Sequence, residues 1–366
     1  MVQQLNGTSK RSKRRIAFFL AACLSLASSV LLGETRSLKS FEFSLIRMGT
    51  SFRIVFYAPE RRLATQAATK VFERVEQIEQ ILSDYREDSE VNGVCRNAHQ
   101  SPQSVSPDLF FILEKSLYFS ELSGGAFDVT IGPVVRLWRE ARHNQRLPDA
   151  ERLSKARLAV GYQNVILDPN ARMVFLKRDD MVLDLGAIAK GYAADQALAM
   201  LREYGFSRAL VDAGGDLSLG DSPPGTRGWD VQIRNWTPES RSESHWLQLH
   251  NVAIATSGDT FQFLKAKGQH FSHIINPSDA LGVRDSVITV VIAPDGTTAD
   301  ALATTFSILP VSKAMSLADS VENVSAYLVR RKGKELLTFA SRRFPHFSTH
   351  PQFLASPKKH GADPHE

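Results

Sequence analysis

Between Leu63 and Leu82 the apolar residues Ala64, Ala67, Val71, Val75, Ile78 and Leu82 recur at helical spacing, which predicts a helix with one buried stripe. Upstream, Phe43 to Tyr57 alternates around Met48-Gly49-Thr50 and predicts two strands joined by a turn. Ser106-Pro107-Asp108 sets a cap ahead of a proline suited to the first helical position, and the helix it opens should stop near Ser123-Gly124-Gly125. Asn164 to Leu185 reads as a hairpin turning at Arg178-Asp179-Asp180. It feeds a helix from about Ile188 to Tyr204, with Gly205 as its stop. Further strands are expected at Arg208 to Val211, Trp229 to Arg234, Leu247 to Ala255, Phe271 to Ile275 and Val287 to Ile292, and a last helix from Thr298 to about Leu309. Strands in runs between a few helices indicate an α+β fold with mixed, largely antiparallel sheets and packed helices.

Charge changes the picture at one end only. The 366-residue chain has a formal net charge of +5, yet Lys10, Arg11, Lys13, Arg14 and Arg15 supply five positives before the first acid, so the remainder is neutral. That balance gives no reason to expect nucleic acid as a partner. Ile16 to Leu32, IAFFLAACLSLASSVLL, follows without a charge. A basic stretch before an apolar run of that length is the pattern of an export signal, and the run is short for a bilayer span. Residues 1–33 are therefore expected to direct export to the periplasmic side of the cytoplasmic membrane. Ser25 and Ala27 offer a peptidase site, whereas Leu20-Ala21-Ala22-Cys23 resembles a lipoprotein box; against lipidation, the chain stays apolar for nine residues past Cys23. Lipidation or retention as a signal anchor would associate the protein with the membrane through its N-terminus. The Arg14-Arg15 pair also raises twin-arginine export, a pattern that the residues after it fit only loosely. A cleaved chain keeps Cys95 alone, which excludes an internal disulfide. From Arg330 the sequence turns basic and rich in Pro and His, so 331–366 reads as a C-terminal extension with a frayed end from Ser356.

Several stretches admit chemistry, each beside a structural alternative. Asp300 and Thr304 are four apart and share a helix face. Such a carboxylate and hydroxyl suit a hard cation such as Mg2+, or else Asp300 complements the helix dipole and Thr304 packs. The run Ser123-Gly124-Gly125-Ala126-Phe127-Asp128-Val129-Thr130 lets backbone NH groups approach a ligand, or is a plain turn after a helix. Asp212-Ala213-Gly214-Gly215-Asp216 admits the same two readings. His273, set in a predicted strand beside a turn, is suited to proton transfer or is a satisfied structural histidine.

In chain order the sequence carries Met48-Gly49-Thr50, then Leu82-Ser83-Asp84-Tyr85 with Ser89-Glu90-Val91-Asn92, then Gly124 to Thr130, then Asp184-Leu185-Gly186-Ala187-Ile188-Ala189-Lys190-Gly191. Gly214-Gly215-Asp216, Thr256-Ser257-Gly258-Asp259, His273-Ile274-Ile275 and Ala299-Asp300-Ala301-Leu302-Ala303-Thr304 follow. This set closely resembles the ApbE family of FAD:protein FMN transferases over about Phe41 to Val329. The resemblance implies an ApbE-like two-lobed domain over 41–330. It also implies an enzyme that splits its substrate FAD and joins the FMN half, through phosphate, to a Thr or Ser of an acceptor redox protein, releasing AMP. Carried onto this chain, the FAD-binding positions are Met48, Tyr85, Ala126, Phe127, Asp128, Asp184, Lys190 and Ile275. A Mg2+ cofactor would be held at Ala187, Asp300, Ala303 and Thr304. Asp184 is then expected to end a strand at the flavin nucleotide, with His273 as the base that takes the acceptor's proton.

The sequence departs from the family's pattern at Asn276, where Asp is usual, at Thr260, where Tyr is frequent, and at Gln262, often basic. None of these lies in the metal set. Two other functions share the same residues: an FAD pyrophosphatase, with water in place of the acceptor, and a flavin-binding protein without turnover.

Overall fold

The alternation upstream of Leu63 becomes β1 (Lys39–Arg47) and β2 (Thr50–Ala58), joined by a turn in which Met48 and Gly49 take positive φ, 52° and 69°. This is a computed structural model, and it describes residues 37–233, 245–258, 263–266, 268–333 and 335–347. In β2, Phe52, Ile54, Phe56 and Ala58 are fully buried, as period-two alternation requires. α1 (Arg61–Leu82) buries the predicted stripe and adds Ala68 and Phe72 to it.

After α1 come α2 (Glu90–Asn97), β3 (Gln103–Ser104), α3 (Pro107–Leu122), α4 (Gly132–Asn144) and α5 (Ala150–Leu158). α3 begins as expected, with the Ser106 hydroxyl accepting from the Leu109 amide at 3.2 Å. α2, α4 and α5 are short and go beyond the sequence reading. The predicted hairpin turns earlier than Arg178: β4 (Val165–Asp168) and β5 (Met173–Leu176) meet at a turn where Asp168 Oδ1 accepts from the amides of Asn170 and Ala171. That carboxylate closes the turn, whereas Asp180 is tied to Arg178 in an exposed bend. α6 (Ala189–Glu203) ends at Gly205 (φ 83°), with the Phe206 amide donating to the Leu201 carbonyl.

The remaining strands are β6 (Ala209–Ala213), β7 (Leu217–Leu219), β8 (Trp229–Ile233), β9 (His245–Leu249), β10 (Ala253–Gly258), β11 (Phe263–Ala266), β12 (Gln269–Ser272), β13 (Ile275–Asn276), β14 (Leu281–Gly282) and β15 (Ser286–Ala293). α7 (Gly296–Ile308) and α8 (Val311–Ser320) precede β16 (Ser325–Lys332) and β17 (Glu335–Ala340). Two expected strands are split. Leu247 to Ala255 breaks at His250-Asn251-Val252, with Asn251 at φ 51°, and Phe271 to Ile275 breaks at a His273-Ile274 bend. The helix expected to be last is followed by α8.

The main sheet has the order β1-β2-β6-β7-β10-β15-β16-β17, and the registers from β2 through β17 are antiparallel. β15 shows why its apolar run is nearly continuous. Val291 and Ala293 join the core made with α1, α6 and α7, while Ile288, Val290 and Ile292 face Trp229, Val231, Ile233 and Leu247 of the β8–β9 hairpin. A strand covered on both faces has no polar side to offer. A third cluster joins Val134, Trp138 and Ala141 of α4 to Leu264, Phe271, Ile275 and Ala280. Beyond Arg330 the chain still belongs to the sheet, since β17 pairs with β16 from Tyr327↔Ala340 to Lys332↔Glu335.

Candidate active site

The site is built where α6 crosses α7. A Cβ on Gly191 would lie 2.0 Å from the Gly296 carbonyl oxygen, so only glycine permits this backbone contact. Asp195, one turn along α6, accepts from the amides of Gly296 (2.6 Å) and Thr297 (2.8 Å) and so caps α7 from its neighbour. The crossing sets Lys190 beside Asp300. Asp300 is buried, its Oδ2 accepts from the Gly191 amide at 3.0 Å, and its Oδ1 lies 3.9 Å from Lys190 Nζ. Lys190 Nζ also donates to Asp216, whose other oxygen accepts from the Thr256 amide at 3.4 Å.

Burial pushes the Asp300 carboxyl up to about 7; Lys190 opposes that shift and Asp216 adds to it. Burial pulls the Lys190 ammonium down, but Asp216 and Asp300 outweigh it and hold its pKa above the ordinary lysine value. These three groups hold two carboxylates against one ammonium. Thr304, one turn beyond Asp300, places Oγ1 3.4 Å from Ser257 Oγ. A buried, undercompensated carboxylate with a hydroxyl one turn along the same helix face, itself near a second hydroxyl, is the all-oxygen type of donor a hard cation takes, so these residue types fit Mg2+. Ala187 lies in the turn just before α6, and the Ala303 carbonyl accepts from Ser307 Oγ at 2.9 Å within α7. Among the described residues no group of three or more His, Cys, Asp or Glu is arranged to hold a metal.

A second group surrounds Tyr85. Asn92 Nδ2 donates to the carbonyls of Asp84 (3.1 Å) and Arg86 (2.8 Å), which pins the backbone on both sides of the tyrosine. Tyr85 itself is 75% exposed. Arg139 of α4 lies over its ring, 4.1 Å from the centroid, and donates to both Asp84 and Asp184. Asp184 does not end a strand as expected. Its neighbourhood makes one isolated parallel bridge, Ile131 to Val182, and the Asp184 amide donates to the Val129 carbonyl at 2.7 Å. Asp184 Oδ1 then accepts from the Gly186 amide at 2.9 Å, closing the turn that carries Ala187. Burial, then Asp84, push its carboxyl up, and Arg139 pulls it down.

Phe127 is buried against Phe119, with ring centroids 6.1 Å apart. Asp128 accepts from the amide and hydroxyl of Thr130 and from the Tyr162 amide, and burial pushes its carboxyl up. Ala126 precedes them in a bend. The Met48 turn meets the Gly214 turn, where a Cβ on Gly214 would lie 2.2 Å from Thr50 Oγ1.

His273 lies in the bend between β12 and β13. The bend is fixed by Ile274 N donating to Ser272 Oγ (3.1 Å) and by Val283 N donating to the Ile274 carbonyl (2.9 Å). Phe271 leads into it and packs on Trp138, centroids 5.3 Å apart; Trp138 Nε1 donates to the Ala280 carbonyl at 2.8 Å. Ile275 is buried in the same cluster. Asn276 Oδ1 accepts from the Ser278 amide, so this departure from the pattern organises a turn. Asp259, Thr260 and Gln262 lie outside the described residues.

Contacts thus join Lys190, Asp216 and Asp300 in one group, with Thr304 one turn along α7 from Asp300, and Arg139 joins Tyr85 to Asp184 in another; the Asp184–Gly186 turn leads directly into α6. Among the described residues no hydrogen bond, ion pair or ring contact ties Met48, Phe127, Asp128 or Ile275 to either group; they pack or shape loops. Sequence reasoning missed Asp216 and Arg139 as members. Asp216 carries a detectable signal, a carboxylate between a double glycine and an apolar strand. Arg139 shows only as one arginine of several on a short helix.

The sequence profile of the ApbE family matches residues 48–328. An FAD:protein FMN transferase of Treponema pallidum is 30% identical over 312 residues, covering 81% of this chain and 86% of that protein. One of Haemophilus influenzae is 28% identical over 346 residues, covering 91% and 97%. Among solved structures, the flavin transferase ApbE from Vibrio cholerae is similar with a TM-score of 0.76 at 25% identity, covering 84% of this chain and 98% of that one. The apbe protein from Thermotoga maritima is similar with a TM-score of 0.74 at 27% identity, covering 83% and 97%.

Proposed function

Because this chain belongs to the ApbE family, we propose that it is an FAD:protein FMN transferase, moving the FMN half of FAD onto a Thr or Ser hydroxyl of an exported or membrane-bound redox protein. The observation that carries this reading is the half-buried Lys190 between the buried Asp216 and Asp300 at the α6–α7 crossing, with Thr304 on the same helix face as Asp300. It sets a fixed ammonium and an undercompensated carboxylate side by side, which suits a pyrophosphate neutralised by a cation.

In the reaction, the acceptor oxygen bonds to the FMN phosphorus, the bond from that phosphorus to the oxygen of AMP breaks, and AMP leaves. His273 takes the hydroxyl proton as general base. Lys190 stays protonated between its carboxylates and neutralises phosphate charge that builds on the leaving group. Tyr85 offers an open aromatic ring to a flat ligand ring. Mg2+, held by Asp300, Thr304 and the carbonyls of Ala187 and Ala303, would offset charge on the phosphates. Residues 1–33 serve in this proposal as the export signal that brings the enzyme to its acceptor at the periplasmic side of the cytoplasmic membrane.

Incubation with FAD and Mg2+, with and without a peptide bearing a candidate Ser/Thr acceptor, tests the reading. Flavin-labelled peptide and AMP are the expected products. Free FMN in both tubes means a pyrophosphatase, and unchanged FAD means a binding protein.

A further inference from the structure

We propose that Arg139 is a positioning residue of the FAD site, holding the Tyr85 ring and the Asp184 turn in one fixed relation. This rests on the flavin reading of the site. Three independent contacts converge on its guanidinium. Nη1 donates to Asp84, Nη2 donates to Asp184 Oδ2 at 2.8 Å, and the guanidinium carbon lies over the Tyr85 ring, 4.1 Å from its centroid. Both carboxylates are buried, with side-chain exposures of 8% and 9%, whereas Tyr85 remains 75% exposed. One face of the tyrosine therefore has a cation against it and the other is left for a ligand.

A planar, forked cation is needed here because the three partners require it together. Guanidinium can bond two carboxylates in its plane while stacking that plane on a ring; an ammonium provides charge without plane or fork. The carboxylates anchor the other end. Asp184 Oδ1 shapes the Gly186–Ala187 turn, and Asp84 is the residue before Tyr85, so the guanidinium ties two segments a hundred residues apart in sequence. Removing it releases the ring from its turn, and a displacement of about 1 Å at a reacting or binding group can cost 100-fold.

The test compares Arg139→Lys and Arg139→Met with the wild type in FAD titrations followed by flavin fluorescence, in steady-state transfer and in thermal melts. Arg139→Lys keeps a positive charge beside both carboxylates, so its melting temperature should stay near wild type while the KM for FAD rises about tenfold, with a smaller change in kcat. Arg139→Met should lose stability as well, because it leaves two buried carboxylates without their cation. Joined to Tyr85→Ala, the Arg139→Lys change should weaken FAD binding no further than Tyr85→Ala does alone, since both act through one ring. A wild-type KM in Arg139→Lys overturns the inference, because it reduces Arg139 to charge compensation. Additive losses in the double variant overturn it too. If the wild-type protein itself fails to bind FAD, the flavin reading falls and takes the inference with it. If it binds normally and Arg139→Lys matches it, the inference alone falls.

Discussion

At the residue scale, substitutions at Asp300 and His273 test the proposed metal site and the proposed general base separately. Asp300→Asn keeps an acceptor for the Gly191 amide but removes the charge, so the fold should survive while transfer falls about 100-fold or more, even in excess Mg2+. Turnover in rising Mg2+, with circular dichroism melts alongside, checks it; near-normal activity would remove Asp300 from the metal set. For His273→Ala, loss of a general base should slow single-turnover transfer by about 100- to 10,000-fold with FAD binding nearly intact. The wild-type rate should climb through the range in which an imidazole loses its proton, and that limb should vanish in the variant. The bend is held by Ser272 Oγ and the Val283 amide, neither of which the substitution touches. Wild-type single-turnover rates with a lowered melting temperature would make His273 structural and turn attention to Asp259.

At the element scale, the α6–α7 crossing is the part of the fold least open to substitution. Gly191→Ala drives a Cβ against the Gly296 carbonyl, and backbone on both sides cannot step away as a side-chain tip would. The expected cost is about 1–3 kcal/mol, read as a melting temperature lowered by several degrees. Activity should fall further than stability does, because Lys190 and Asp300 are set by this contact. Equal stability in both proteins would show that the helices are free to separate. The long elements were legible: α1 and α3 announce themselves by stripe and cap, β2 and β15 by alternation and apolar run. The short ones were not. α4 has its apolar Val134, Trp138 and Ala141 at helical spacing, but Val135 and Leu137 blur the stripe beside Arg136, Arg139 and Glu140, and only tertiary packing reveals which are enclosed. The hairpin of β4 and β5 was misplaced because two charged clusters compete as turns, and the Asp168 carboxylate decides between them through two amides.

At the scale of the whole molecule, stability should carry the signature of its half-buried thiol. Cys95 Sγ accepts from the Leu183 amide at 3.2 Å, and burial pushes its pKa above the ordinary 9.0. In the unfolded chain the thiol ionises first, so between the ordinary value and the folded one the folded state holds the extra proton. Stability is therefore present below the ordinary value and lost as pH rises through the folded one. Cys95→Ser removes that dependence, so urea midpoints measured from pH 8 to 10.5 should fall more steeply for wild type than for the variant. Parallel profiles would mean the thiol ionises alike in both states. Of the candidate site, the sequence offers the motif residues as candidates but not their mutual placement. Asp216, Asp300 and Lys190 come from three separated segments, and nothing in their spacing says that one ammonium serves both acids. α4 adds a last consequence. Trp138 grips the segment that leads to His273, and the next residue, Arg139, grips the segments of Tyr85 and Asp184. Neighbours on a helix point roughly 100° apart, so a single turn acts as a gauge block between the His273 bend and the aromatic plate. One residue inserted between them would swing one jaw away from the other, leaving each grip sound and the calibration gone.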